Sequence, residues 1–263
     1  MPYARTNGIN LYYEECGKGD PLVLIHGLGS SLESWDVQVP IYSEHFRVIV
    51  LDNRGSGRSE KPDYPYTMEQ MADDAAGLLD FLGIEKAHFV GKSMGGMICQ
   101  WLGIKYPEKV SKLVMGCSSA HRDEVGNLLI KTARDIVDKA GPGAGWVFAL
   151  FLGYGRKYIE ENYDSLISRI QEVPVDPDAA AGYRNQSYAC ENHDVLAQLG
   201  KISAKTLVMY GERDIVTPPE RSKKLVESIP NAVEKAFADV GHGFWRECQA
   251  EVDKAVLDFL TKD

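Results

Sequence analysis

The feature that most constrains the fold of this chain is a series of short apolar runs, each ending in a glycine or a polar turn. The runs are "PLVLIHG", "FRVIVLDNRG", "AHFVGKS", "VSKLVMGCSS" and "AKTLVMYGERD". Continuous apolar runs of this length are typical of strands that are buried on both faces of a parallel sheet. Helical patterns separate most of them, as between Thr67 and Phe81, where apolar residues recur at intervals of three and four. The alternation predicts a mostly parallel sheet covered by helices on both faces.

The alternation stops between about Arg122 and Tyr188. This segment has helical patterns throughout, with breaks at "AGPGAG" and "VPVDPDAAAG", and no run in it is typical of a sheet strand. We therefore expect a core domain built from residues 1–121 and 189–263, and a helical cap built from residues 122–188. The cap should cover the carboxyl edge of the sheet, where open α/β folds bind their ligands.

Composition and charge exclude several classes of protein. Of 263 residues, 44% are hydrophobic and 25% are charged, which is typical of a globular domain, and the net charge of -9 disfavours binding to nucleic acid or to an anionic membrane. The five cysteines form no closely spaced pair and the histidines show no metal-ligand spacing, so we predict neither disulfides nor a metal site. The first fifteen residues lack the apolar core of a signal peptide, and the longest apolar run is too short to cross a bilayer. We expect a cytoplasmic protein, and the sequence leaves its oligomeric state open.

A candidate nucleophile lies in the segment "VGKSMGG", between a predicted strand and a predicted helix. Gly91, Ser93 and Gly95 match the pattern G-x-S-x-G, in which a strained turn lifts the serine hydroxyl above the sheet. Because the following helix directs its free N–H groups toward this turn, the N–H of Met94 can stabilise a developing oxyanion. The segment "HGLG" after the first buried strand offers a second donor, the N–H of Leu28.

The acid and the base that would activate Ser93 are expected downstream of it, in that order. Asp214 follows the strand in "VMYGERDIVTPPE", and His242 follows the strand-like "VEKAFA" within "ADVGHGFW". Because the carboxyl ends of parallel strands meet at one edge of a sheet, both residues should lie at the same edge as Ser93. Asp239 is the alternative candidate for the acid.

Over essentially its full length the chain resembles proteins of the α/β-hydrolase fold. The segments "HGLGSS", "DNRGSGRS", "GKSMGG", "GERDIVTPP" and "GHGFW" match the landmarks of that superfamily in order and spacing. The resemblance implies a mostly parallel eight-stranded sheet with a helical cap, Ser93 as nucleophile, Asp214 as orienting acid, His242 as base, and Leu28 and Met94 as oxyanion donors. Within the superfamily the chain is similar to 3-oxoadipate enol-lactonases and small carboxylesterases.

The role of several further residues is less constrained. Lys92 stands where relatives often carry His, Leu or Asn, and strand alternation predicts that its side chain points away from Ser93. A structural role and a role in tuning the site both remain open for it. Candidate residues for the substrate pocket are His121, Trp146, Phe244 and Trp245.

These observations predict a serine hydrolase, without a cofactor, that cleaves a small carboxylic ester or lactone. One alternative is a carbon–carbon bond hydrolase of vinylogous diketones that uses the same triad. The other is a ligand receptor on this fold that keeps the triad but turns over slowly.

Overall fold

An eight-stranded sheet organises the residues that the computed structural model describes, which are 3–172 and 177–262. Its strands are β1 (Tyr3–Thr6), β2 (Ile9–Cys16), β3 (Pro21–Ile25), β4 (Arg47–Leu51), β5 (Ala87–Lys92), β6 (Val110–Gly116), β7 (Lys205–Gly211) and β8 (Ala232–Phe237). They are ordered β1-β2-β4-β3-β5-β6-β7-β8. Strand β2 is antiparallel to β1 and β4, and every other neighbouring pair is parallel. The predicted fold class, a mostly parallel eight-stranded sheet, is confirmed.

The antiparallel start of the sheet follows from one dipeptide. Asn7 and Gly8 connect β1 to β2, with φ angles of 45° and 82°. A two-residue hairpin turn with positive φ at both positions matches the twist of the strands, and Asn and Gly adopt that conformation most readily.

Eleven α-helices and three 3₁₀ helices accompany the sheet within the described ranges. The α-helices are α1 (Gln38–Tyr42), α2 (Met68–Phe81), α3 (Met94–Lys105), α4 (Glu124–Ala140), α5 (Pro142–Gly153), α6 (Arg156–Glu161), α7 (Tyr163–Glu172), α8 (Pro177–Glu191), α9 (Pro219–Ser228), α10 (Phe244–Glu247) and α11 (Gln249–Thr261). The 3₁₀ helices span Leu32–Trp35, Pro107–Lys109 and Leu196–Lys201. None of the helices in these ranges combines the length and the apolarity that crossing a membrane would need.

Two hydrophobic layers enclose the sheet. On β3, Val23 and Ile25 belong to the layer that contains α2 and α3, whereas Leu22 and Leu24 belong to the layer that contains α1 and α11. Successive side chains of a strand point to opposite faces, so a continuous apolar run supplies both layers.

Five helices, α4 to α8, lie between β6 and β7, in the interval where the sequence predicts a cap. None of the described residues of this interval forms a strand of the sheet. Helix α8 continues to Glu191, three residues beyond the predicted boundary at 188. An isolated bridge between His121 and Asp194 brings the two ends of the interval together.

One end of the cap is attached to the turn that follows β4. The side-chain amide of Gln186 on α8 donates to the carbonyl of Arg54 at 2.7 Å and to the hydroxyl of Ser56 at 2.6 Å. A Cβ added at Gly182 would lie 2.0 Å from the carbonyl oxygen of Gly55, so helix and turn meet backbone to backbone.

The other end of the cap is attached through a shared carboxylate. Asp36 accepts from Arg169 of α7 at 2.9 Å and also pairs with Arg246 of α10. The N–H of Gly243 donates to the carbonyl of Gly153 at 2.7 Å, which ties α5 to the segment before α10.

The turn after β4 is itself held by a buried ion pair. The guanidinium of Arg54 donates to both carboxylate oxygens of Asp74 on α2, each at 2.6 Å, and both side chains are almost completely buried. Asn7 donates to the same carboxylate at 2.9 Å. Bidentate geometry with a further donor is the arrangement in which attraction offsets the cost of burying two charges.

Replacing one partner of this pair should be strongly destabilising, because it leaves the other charge buried without compensation. We expect Arg54→Met to lower the free energy of unfolding by roughly 3–5 kcal/mol. The matched control is Lys254→Met, which removes an exposed pair with Asp258 and should cost less than about 1 kcal/mol. Urea denaturation of both variants measures the difference, and equal losses would contradict the interpretation.

Candidate active site

Ser93 occupies a strained turn between β5 and α3. Its φ is 52°, a left-handed conformation that residues other than glycine rarely adopt, and its N–H donates to the carbonyl of Gly116 at 2.8 Å. Such strain persists only where surrounding contacts enforce it, and it is concentrated at functional sites. The turn places Ser93 at the amino end of α3 and at the carboxyl edge of the sheet.

The glycines on both sides of Ser93 are required by close backbone contacts. A Cβ at Gly91 would lie 2.3 Å from the backbone of Gly95, and a Cβ at Gly95 would lie 2.2 Å from the carbonyl oxygen of Ile25. A Cβ at Gly96 would lie 2.6 Å from the Cβ of Ser118. The amino end of α3 therefore packs directly against the carboxyl ends of β3 and β6, and any side chain at these positions would separate them.

Asp214 and His242 form a hydrogen-bonded pair at the same edge of the sheet. Asp214 follows β7 and His242 follows β8, and Nδ1 of the imidazole lies 2.7 Å from Oδ2 of the carboxylate. Asp214 is buried, and its other oxygen accepts from the N–H groups of Val216 and Thr217, each at 2.8 Å. With the Nδ1 proton directed at Asp214, Nε2 is the unprotonated ring nitrogen and can accept a proton.

The surroundings of His242 change its acidity in opposite directions. Burial lowers the pKa of the imidazole, while the charge of Asp214, the side chain of Cys117 and the hydrogen bonds to both raise it. The net effect is a pKa well above the usual value for histidine. The charged form of His242 is therefore stabilised, as a base that accepts a proton during a reaction requires.

The structure does not join Ser93 to His242 directly. Across the described residues no hydrogen bond connects the Ser93 hydroxyl to the imidazole, although both lie at the same sheet edge. Gly116, which accepts from the Ser93 N–H, is followed by Cys117, whose side chain lies beside His242. In structures without substrate, catalytic hydrogen bonds are often longer than in the reacting complex.

The two predicted oxyanion donors both have free N–H groups. Within the described residues neither the N–H of Leu28 nor that of Met94 donates a hydrogen bond. The loop of Leu28 lies against the turn of Ser93 at Gly27, where an added Cβ would lie 3.4 Å from the Cβ of Ser93. An unpaired donor beside a nucleophile is available for a negatively charged oxygen.

His26 organises the loop that carries Leu28. Its side chain is fully buried, Nδ1 lies 2.8 Å from the carbonyl of Gly27, and Nε2 accepts from the N–H of Asn53 at 3.1 Å. Burial lowers the pKa of this imidazole, so it stays neutral. Both ring nitrogens are engaged, which leaves His26 no lone pair for a role as base.

Two of the predicted pocket residues belong to the core. Phe244 is fully buried and stacks on Phe237 and Trp245, and a Cβ at Gly116 would lie 2.5 Å from the indole of Trp245. Both rings belong to the hydrophobic layer that contains α11. Both rings are thus used for packing in this structure, and the place of Phe244 and Trp245 in a substrate pocket stays a prediction.

The other two predicted pocket residues, His121 and Trp146, lie in different surroundings. His121 faces α9, and its Nε2 lies 2.8 Å from Arg221, so the contacts seen in the structure do not direct it toward Ser93. Trp146 is a half-buried residue of α5 in the cap, and its place in a pocket stays a prediction.

Asp239, the alternative acid, is exposed and pairs with Arg213, so its carboxylate does not bind His242.

Cys117 is a site residue that the sequence did not reveal. It is buried, it adopts a positive φ of 47° directly after β6, and its side chain contacts His242. No local pattern signals a left-handed residue at this position, since Cys carries no preference for that conformation.

The backbone contact of Gly95 can be tested without any substrate. Gly95→Ala should lower the free energy of unfolding by about 1–3 kcal/mol, because the added methyl group meets the backbone of β3 and forces α3 to move. Gly200→Ala is the matched control, since a Cβ there has no neighbour within 4 Å. Chemical denaturation compares the two, and a neutral Gly95→Ala would refute the close contact.

Known proteins are similar to this chain in sequence and in fold. The family model for the alpha/beta hydrolase fold matches residues 20–154. The chain is 30% identical to 3-oxoadipate enol-lactonase 2 of Acinetobacter baylyi, over 84% of this chain and 82% of that protein. It is 29% identical to 2-hydroxy-6-oxo-6-phenylhexa-2,4-dienoate hydrolase of Comamonas testosteroni, over 96% and 91%. The crystal structure of the enol-lactonase from Burkholderia xenovorans LB400 superposes with a TM-score of 0.90 at 31% identity and covers 99% of this chain and 100% of that one. The chain belongs to the alpha/beta hydrolase family.

Proposed function

We propose that this protein is a serine hydrolase that cleaves a small carboxylic ester or lactone through an acyl-enzyme on Ser93. The observation that carries the proposal is the hydrogen bond between buried Asp214 and Nδ1 of His242, which leaves Nε2 as the unprotonated nitrogen at the sheet edge where the strained Ser93 turn lies. The names of the similar enol-lactonases from Acinetobacter and Burkholderia support the substrate class.

The reaction would begin when Nε2 of His242 removes the proton of the Ser93 hydroxyl as its oxygen attacks the carbonyl carbon. Asp214 stabilises the imidazolium that forms, and the N–H groups of Val216 and Thr217 keep the carboxylate in place. His242 then protonates the leaving oxygen, and a water molecule, deprotonated by the same nitrogen, hydrolyses the acyl-enzyme. These steps need no cofactor.

The N–H groups of Leu28 and Met94 would stabilise the tetrahedral oxyanion. Removing one donor of this kind from a serine hydrolase typically costs on the order of 3 kcal/mol in the transition state. Met94 gains further from its position at the amino end of α3, where the helix dipole favours negative charge.

Ser93→Ala should abolish turnover of a p-nitrophenyl ester and labelling by a fluorophosphonate, because no other group can form the acyl-enzyme. Ser111→Ala, at the opposite end of the neighbouring strand β6, is the control and should keep both activities. Circular dichroism and thermal melting check that both variants are folded. Turnover by folded Ser93→Ala would rule out the assignment.

Asp214→Asn should change both the rate and its pH dependence. The carboxylate raises the pKa of His242, so its loss should lower that pKa and shift the acid limb of the kcat/KM profile toward lower pH. Because Asn also stabilises the wrong imidazole tautomer, we expect kcat to fall by roughly 10³ to 10⁴. Profiles measured between pH 5 and 9 test this prediction, and an unmoved acid limb would contradict it.

A carbon–carbon bond hydrolase is the second candidate, favoured by the similarity to the dienoate hydrolase of Comamonas. It would use the same triad on a ring-fission diketone. Steady-state assays of short-chain esters, lactones and such a diketone with one enzyme preparation separate the two activities. Fluorophosphonate labelling of Ser93 without turnover of any of them would favour a slow-turnover receptor.

A further inference from the structure

Lys92, the residue directly before Ser93, holds its ammonium group between two tryptophans. Nζ lies 3.6 Å from the ring centroid of Trp35 and 4.9 Å from that of Trp245. It also lies within hydrogen-bond distance of two acceptors, the carbonyl of Ser34 at 3.2 Å and Oε1 of Gln38 at 3.3 Å. An ammonium over an aromatic face is attracted by the ring, most strongly when the ring is that of tryptophan.

These contacts connect three segments of the candidate active site. Lys92 ends β5 and precedes the nucleophile, and Trp35 lies in the 3₁₀ helix that follows the loop of Leu28. Trp245 lies on α10, three residues after His242. The indole rings of Trp35 and Trp245 also contact each other edge to face, with centroids 5.4 Å apart.

The side chain of Lys92 lies on the face of the sheet that α1 and α11 cover, opposite the face that α3 covers. Val90, two residues earlier on β5, belongs to the same hydrophobic layer as the two tryptophans. The indole of Trp245 contacts Gly116 of β6, the strand partner of Lys92, and it also contacts the Lys92 ammonium. The lysine therefore acts on the segment of His242 from beneath the sheet edge.

The charge of Lys92 is compensated by neutral groups. Across the described residues it forms no ion pair, and the charged or titratable groups near it are Asp36, Asp253, Arg246, Cys117 and His26. Burial, followed by the charge of Arg246, lowers the pKa of Lys92 to about 7. The tryptophan faces and the two acceptors interact best with the charged form, so they act against this lowering of the pKa.

We propose that Lys92 is a positioning residue, whose ammonium holds Trp35 and Trp245 and thereby fixes the His242 segment relative to Ser93 and the Leu28 loop. The inference rests on the proposed function, since it assigns a part in the same reaction. Lys92 contacts no reacting group and supplies no proton. Lys92 would affect the rate by aligning Ser93, His242 and the Leu28 loop. Small misplacements of reacting groups have large effects on rate.

The test compares Lys92→Met, Lys92→Arg and a control, Lys112→Met. Lys112 is a half-buried lysine of β6 whose Nζ lies near the carbonyls of Phe259 and Leu260 and over the Phe259 ring, in contact with α11 rather than with the site. The measurements are kcat and KM for an ester, the rate of Ser93 labelling by a fluorophosphonate, and the thermal melting temperature.

We expect Lys92→Met to lower kcat and the labelling rate by about tenfold or more, with KM changed by less than about threefold. Lys92→Arg should restore most of both rates, because a guanidinium also stacks on indole rings and donates hydrogen bonds. Lys112→Met should lower the melting temperature and leave both rates unchanged.

The inference is overturned if folded Lys92→Met labels at the wild-type rate, or if Lys92→Arg is as slow as Lys92→Met. A slowing by Lys112→Met equal to that by Lys92→Met would also overturn it, because general destabilisation would then account for the loss. Wild-type protein that neither labels nor turns over would instead overturn the proposed function, and with it this inference.

Discussion

The backbone contact between the amino end of α3 and the carboxyl ends of β3 and β6 is the constraint on which the candidate site depends. Because no Cβ intervenes at Gly91, Gly95 or Gly96, the helix begins directly above the sheet edge. This placement forces Ser93 into a positive φ and presents the N–H of Met94 beside the loop of Leu28. The backbone strain at Ser93 and the position of the two predicted oxyanion donors thus have the same cause.

The loops around Ser93 are ordered by buried side chains that bind backbone groups. Asp52 accepts from the N–H of Leu32 at 2.8 Å and from that of Arg58 at 2.9 Å, and Asp214 binds two further N–H groups in the same way. His26 bridges the loop after β3 to the loop after β4. Loops fixed by such bonds lose little entropy when a substrate binds, which favours a preorganised site.

Much of the fold could be predicted from the sequence, because strand and helix patterns are local. The apolar runs predicted the central strands, and the helical pattern that begins at Thr67 predicted α2, where the Thr67 hydroxyl accepts from the N–H of Gln70. The placement of Asp214 and His242 at one edge of the sheet followed from the rule that parallel strands end at one edge. Which sheet edge a loop occupies depends only on the direction of the strand before it. It can therefore be predicted without knowledge of side-chain packing.

The contacts that sequence reasoning did not reveal are those that depend on packing between distant segments. Phe244 and Trp245 follow His242 closely in sequence, and both rings pack in the hydrophobic layer that contains α11. His121 lies near the sheet edge but pairs with Arg221, one hundred residues later in the chain. The contact between Cys117 and His242 depends on the left-handed backbone conformation of Cys117, which the neighbouring sequence does not predict.

The packing of α8 against the core affects how the protein unfolds. Ala189 and Cys190 of this cap helix belong to the same hydrophobic layer as α2 and α3, and its glycine at 182 meets the turn after β4 without intervening side chains. A helix that shares its buried surface with the sheet cannot detach without exposing that surface to water. For this reason we expect the five helices between β6 and β7 and the sheet to unfold together rather than as separate units.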